Sequence, residues 1–281
     1  MSELQFTQEG IREGKAWWVQ ETPHYVILFD EAARELLQPQ KFATQAETRL
    51  RQIAGVLGLN KDNAARRYPI GEKIIYFVHD RATCTHGNVD VGGIDVPATG
   101  RAWFYRHEES HAVLIRVVGA LPPLFNEGFA TFVEQPGSTR HHRITLAALR
   151  QNVLPSLLKI VDAEGFWRHW GTYSPFMYSQ AGSFVEYLFK RFGRGKFISL
   201  GMKFSRSPVL QGFRQAYGMS LAHAEVAWHG YLLRRRRALP LLTRIVRGRQ
   251  SDSRWVREAI WTIKNQKAEE SAAADADKPR R

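Results

Sequence analysis

The stretch YRHEESHAV, residues 105–113, sets two histidines four positions apart with a glutamate directly after the first. Four positions is just over one helical turn, so on a helix His107 and His111 share a face and can point both imidazoles at one cation. Glu108 leaves the same helix about 100° away from His107. Its carboxylate can then reach a water on that cation without being a ligand itself. This is the mechanical content of H-E-x-x-H, two zinc ligands and a general base; the competing reading is an exposed helix carrying two solvated histidines. Catalytic zinc sites use three protein ligands and keep a fourth position for water, so one ligand is missing. Glu127 in FNEGFATFVE fits the role. Fifteen residues separate it from His111, enough to end one helix, turn at Gly119–Pro123 and start an antiparallel neighbour. Gly128 beside it would allow close helix approach. Glu134 falls seven positions on, on the same face as Glu127, where it could hydrogen-bond a ligand or simply lie on the surface.

These residues need elements to hold them. HYVILFD, residues 24–30, reads as a buried strand, with Asp30 at its end. Ala46, Leu50, Ile53, Ala54 and Leu57 recur at helical spacing over residues 42–57, and Gly58 supplies a stop. KIIYFVHD, residues 73–80, is a second strand, and a third is expected near Gly100–Tyr105 after a polar, glycine-bearing loop. From Tyr105 the pattern turns helical. HEESHAVLIRVV ends at Gly119 and Pro122–Pro123, and PLFNEGFATFVE starts on a proline, as helices prefer. Residues 144–161 and 178–192 follow as helices, with shorter ones beyond Gly193. The expected fold is α+β, a small mixed sheet followed by a mainly helical half.

The chain of 281 residues is 44% hydrophobic and 12% aromatic, which supports a sizeable core. No apolar run approaches the roughly 18 residues needed to cross a bilayer, so no transmembrane segment is expected. The first residues, MSELQFTQEGIREGK, lack the apolar stretch of a signal peptide. That points to the cytoplasm, or outside it if a leader was removed. The lone Cys84 excludes an internal disulfide framework. Of the net charge of +13, residues 231–281 supply +8, with Arg234–Arg237 in a row. This region is expected to be a basic helical extension with a disordered tail, AEESAAADADKPRR. It could touch nucleic acid or an anionic membrane weakly, or simply be solvated.

The zinc motifs resemble the gluzincin metallopeptidases, the peptidase-MA-like superfamily with a thermolysin-like catalytic domain. NEGFATFVE is similar in particular to zinc aminopeptidases of that superfamily. TPHYVILFDEAA, followed by a helix ending GVLGLN, is like its short bacterial members, and the resemblance covers roughly residues 20–205. It implies a thermolysin-like metallopeptidase domain over residues 1–230, sheet-bearing over about 20–105 and helical over about 105–230, with Zn2+ held by His107, His111 and Glu127. TYSPFMYSQAGSFVEYLFKRFG resembles the family helix whose tyrosine hydrogen-bonds the tetrahedral intermediate. That position here is Tyr178, and Tyr173 also has a counterpart near the site.

The activity implied is hydrolysis of peptide bonds by a zinc-activated water with Glu108 as general base. One departure bears on directionality. Aminopeptidases of this kind carry a G-A-M-E-N loop that captures the free amino terminus, whereas VGGIDVPATGRAWFYR keeps Gly92 and Gly93 but has no glutamate. An endopeptidase or a peptidase of undefined directionality follows. A different class of reading is a catalytically weak, zinc-stabilised binding protein using the basic C-terminal surface.

The remaining candidates read as ordinary structure. Glu109 is expected to be solvated, Cys84 and His86 to be a loop pair, and His141–His142 to be a loop doublet and not a second metal site. Trp103, Phe104 and Tyr105 are expected to pack core and strand, and the strand near Gly100–Phe104 could pair with an extended substrate.

Overall fold

Residues 11–12, 15–59, 73–79, 86–88, 93–99, 102–134, 139–235, 256 and 258–268 are described in a computed structural model of the chain. Their strands are β1 (Ile11–Arg12), β2 (Lys15–Ala16), β3 (Trp18–Glu21), β4 (Tyr25–Phe29), β5 (Ile74–His79), β6 (His86–Asn88) and β7 (Gly93–Pro97). The helices are α1 (Glu31–Leu36), α2 (Pro39–Leu57), α3 (Ala102–Val117), α4 (Pro123–Glu134), α5 (Arg140–Arg150), α6 (Ala163–Phe192), α7 (Arg194–Phe204), α8 (Val209–Tyr217) and α9 (Leu221–Arg235). Residues 258–268 add a further helical stretch, α10. The class is α+β, a small mixed sheet with many helices.

The chain divides into two compact units. The first contains Met1–Leu121, Val133–Pro136 and Gly193–Ser205; the second contains Pro122–Phe132, Gly137–Phe192 and Arg206–Arg281. Helix α4 therefore contributes residues to both.

In the first unit, β1 and β2 form a small antiparallel pair, and a five-stranded sheet runs β3-β4-β5-β7-β6. β4, β5 and β7 are parallel, and β3 and β6 close the edges antiparallel. Parallel centre strands are buried on both faces, so their apolar residues run almost without interruption. Tyr25, Ile27 and Phe29 on β4, Ile74, Tyr76 and Val78 on β5, and Ile94 and Val96 on β7 are all fully buried. Leu28 and Phe77 point the other way and meet Trp17. Phe42, Ala46, Leu50 and Ile53 form the buried stripe of α2, and Phe42 sets its ring edge-on to Phe29, Tyr76 and Tyr105. Each fully buried side chain of this size contributes about 1.5–3 kcal/mol. Asp30, the acidic end of the predicted strand, caps α1 by accepting from the Ala33 N–H at 2.7 Å. Gly58 ends α2 with φ 75°, a left-handed cap.

The third strand is not where the sequence suggested. Residues 102–105 open α3, and the strand is β7, at Gly93–Pro97. The aromatic run WFY looks β-like, but it belongs to the first turn of the helix, where Tyr105 is buried and donates its O–H to the Pro97 carbonyl at 2.8 Å. β7 is paired on both sides, by β5 and β6. The expectation that a strand near Gly100–Phe104 pairs with substrate is therefore overturned.

In the second unit α6 is the spine. Phe176, Met177, Ala181, Phe184, Val185 and Leu188 on it are fully buried. It runs from Ala163 through Pro175. A proline forfeits an interior hydrogen bond, and the sequence reading accordingly began this helix only at Tyr178. Gly182 makes room for Thr131, since a Cβ there would lie 2.7 Å from the Thr131 methyl. The helix expected over 144–161 is instead α5 followed by a short 3-10 turn at Leu157–Lys159. Asn152, with φ 55°, and the following Pro155 break it. Ile144 and Ala148 of α5 share a core with Phe176, Val256 and Ile263, so part of the C-terminal region is docked. The basic stretch from residue 236 to 255 and the tail beyond 268 lie outside the described residues. No described helix is long and apolar enough to cross a membrane.

Candidate metal centre

His107 and His111 lie one turn apart on α3, half-buried, with ring centroids 4.8 Å apart. One ligand-capable atom from each of His107, His111 and Glu127 falls in a group no wider than 4.8 Å. The donor set, two imidazole nitrogens and a carboxylate oxygen, is the one catalytic zinc takes.

The position of His107 has a visible cause. Its Nδ1 lies 2.7 Å from Glu134 Oε1. A carboxylate accepts the Nδ1–H, which fixes the tautomer with the lone pair on Nε2. Glu134 is itself anchored at the end of α4, where Arg106 donates to its backbone carbonyl at 2.8 Å. The sequence offered Glu134 either as a hydrogen-bond partner of a candidate ligand or as a surface residue, and its carboxylate meets His107. Glu134→Ala should weaken zinc affinity by roughly 10–100-fold, the usual effect of losing such a partner. Competition against a calibrated chelator measures it, and unchanged affinity would deny Glu134 an orienting role.

Glu108 is buried, at 7% exposure. Glu109 departs from expectation, because it is fully buried where a solvated side chain was expected. Its carboxylate takes a forked pair of hydrogen bonds from Arg49 of α2, Nε at 2.9 Å and Nη2 at 2.8 Å, and a third from the Tyr76 hydroxyl at 2.7 Å. Burial disfavours the Arg49 charge, but Glu109 outweighs it and holds the guanidinium more firmly protonated than usual. Burial and then the Glu109 charge push the Tyr76 phenol well above its ordinary value. The signal was available: Glu109 sits on the stripe of Tyr105 and Val113, and Arg49 on the stripe of Ala46 and Ile53. A charge on an apolar stripe is solvated only if the stripe faces water.

Tyr178 lies on α6, half-buried, with its ring edge-on to Trp170 at 4.9 Å. Tyr173, on the same helix, packs near His169 and Phe176. Gly128 shows a close approach, but to α6: a Cβ there would meet Val185 Cγ2 at 2.6 Å and the Ala181 carbonyl at 2.7 Å. Cys84, Gly92 and the side chains of His86, Trp103 and Phe104 lie outside the described residues.

The histidine doublet is the second correction. His141 and His142 are not in a loop; they lie on α5, and both are buried. They face Glu186 on α6, at 2.6 and 2.8 Å, and its carboxylate also takes Lys190. Burial by itself would raise the Glu186 carboxyl, but the hydrogen bonds of His141 and His142, the His142 charge and Lys190 hold it well below the usual carboxylate range. The doublet's spacing to Ile144, Thr145 and Ala148, all buried, was the clue to its burial.

Set against models of protein families, curated proteins and solved structures, the chain matches none.

Proposed function

We propose that the chain is a zinc-dependent peptidase of the gluzincin type, with a thermolysin-like arrangement of sheet and helices. The observation that carries this reading is the hydrogen bond from His107 Nδ1 to Glu134, because a histidine turned outward by a carboxylate is the usual dress of a metal ligand. His107, His111 and Glu127 would hold the ion. Zinc there would supply a Lewis acid that makes water nucleophilic near neutral pH and draws charge from the scissile carbonyl.

The chain's own residues do the rest. Glu108 takes the proton of the attacking water and passes it to the leaving amine. Tyr178 donates its O–H to the oxygen that gains charge as the carbonyl carbon becomes tetrahedral. The stretch around Gly92 and Gly93 has no glutamate of the kind that holds a free amino terminus in the aminopeptidases, which favours cleavage within a chain or without a fixed end.

The ligand assignment is tested by metal analysis. His107→Ala, His111→Ala and Glu127→Ala should each lose one zinc equivalent relative to wild type. Wild-type zinc in Glu127→Ala would refute its place among the ligands. Tyr178→Phe removes only the hydroxyl and keeps the ring against Trp170. It should lower kcat by roughly 10²–10³-fold with zinc content unchanged; an unchanged kcat would remove Tyr178 from the mechanism.

A further inference from the structure

A second set of metal-ligating side chains lies wholly inside the second unit. His141 and His142 are consecutive on α5, and Glu186 and Ser183 lie one turn apart on α6. The exposures of His141, His142 and Glu186 are 6%, 0% and 5%. Neighbouring residues on a helix leave it about 100° apart, so two consecutive imidazoles do not meet by default. Here their ring centroids are 4.5 Å apart, and the two Nε2 atoms come within 2.6 and 2.8 Å of the same oxygen, Glu186 Oε2. The surrounding side chains enforce this. Lys190 takes the other oxygen, Oε1, which leaves Oε2 to the histidines. Ser183 Oγ lies 2.8 Å from His142 Nδ1 and accepts the Trp228 Nε1–H at 3.1 Å. With its Nδ1 side engaged, His142 presents Nε2 to the centre.

We propose that His141, His142 and Glu186 form a site for a divalent ion of the zinc type, distinct from the group on α3 and α4. Two imidazole nitrogens and one carboxylate oxygen form a zinc donor set, with a water as fourth donor. Ser183 and Lys190 hold the ligands as outer partners do in metal sites generally. Bond lengths of about 2.0–2.1 Å at tetrahedral angles set donor atoms roughly 3.3 Å apart. The ion should therefore lengthen the two nitrogen–oxygen separations by roughly 0.5–0.7 Å, a side-chain adjustment. Ligands this buried suit an ion taken up as the unit folds and kept for its cross-link between α5 and α6.

The test uses the full chain with the first group disabled, as His107→Ala/His111→Ala, so that failure of the peptidase reading leaves it unaffected. After zinc loading and exhaustive dialysis, this variant should keep about one equivalent per chain. Adding Glu186→Gln should remove that equivalent, and so should His141→Gln, which keeps the His142–Ser183–Trp228 contacts in case the first fails to fold. Cobalt(II) in place of zinc should give the intense visible bands of a four-coordinate ion in His107→Ala/His111→Ala and lose them with either added change. A His107→Ala/His111→Ala chain that is folded, holds no zinc and gives no such bands would overturn the proposal. Retention of the full equivalent in both added variants would do the same.

Discussion

Glu108→Gln should lower peptide hydrolysis by roughly 10²–10⁴-fold, the span that general bases contribute, while zinc content and fold stay as in wild type. Glu108 points about 100° away from His107 around the helix, so it is read as a base and not a ligand. Glutamine matches glutamate in size and fills the same buried position, but an amide cannot take the water's proton. The comparison needs equal zinc loading, confirmed by metal analysis, and a broad peptide mixture as substrate. A variant that also lost zinc would make Glu108 a ligand. Equal cleavage by variant and wild type would show that the base is another residue.

The second large effect is on stability. Arg49→Leu should cost about 3–5 kcal/mol, because it strips the forked partner from a fully buried carboxylate. Leaving Glu109 charged and unpaired is the expensive part; losing the arginine is not. The double change Arg49→Leu/Glu109→Leu should therefore recover much of the loss, since an apolar pair of similar volume often replaces a buried ion pair at little cost. Urea unfolding midpoints, with the slope checked for constancy, measure both. If the single change were as harmless as an exposed pair, the buried pair would not be bracing α2 against α3.

Much of the frame was legible in the sequence because local signals agreed with burial. The strand at Tyr25–Phe29 and the helix at Pro123–Glu134 stand almost where periodicity and a leading proline put them. Helical spacing put Glu134 on the face of Glu127 but did not name His107 as its partner. What failed were places where tertiary packing reverses a local preference. The aromatic opening of α3 reads as strand, yet Tyr105 is anchored to the Pro97 carbonyl. Pro175 hid the first half of α6. Glu109, His141 and His142 are polar in type but sit on stripes that face the interior, and their partners Arg49 and Glu186 are 60, 45 and 44 positions away in the chain. Pairings at that range leave no periodic mark.

The central claim, a zinc ion doing peptide hydrolysis at His107, His111 and Glu127, is tested most directly by removing and restoring the metal. Wild-type protein is assayed on a broad peptide mixture as purified, after exhaustive treatment with a chelator, and after zinc is returned. The expected result is cleavage that disappears with the metal and comes back with stoichiometric zinc, and that zinc never restores in His107→Ala/His111→Ala. Cleavage that survives chelation would contradict the account. So would a zinc-loaded wild type that hydrolyses none of the peptides, and a zinc-stabilised binding protein would then be the better description.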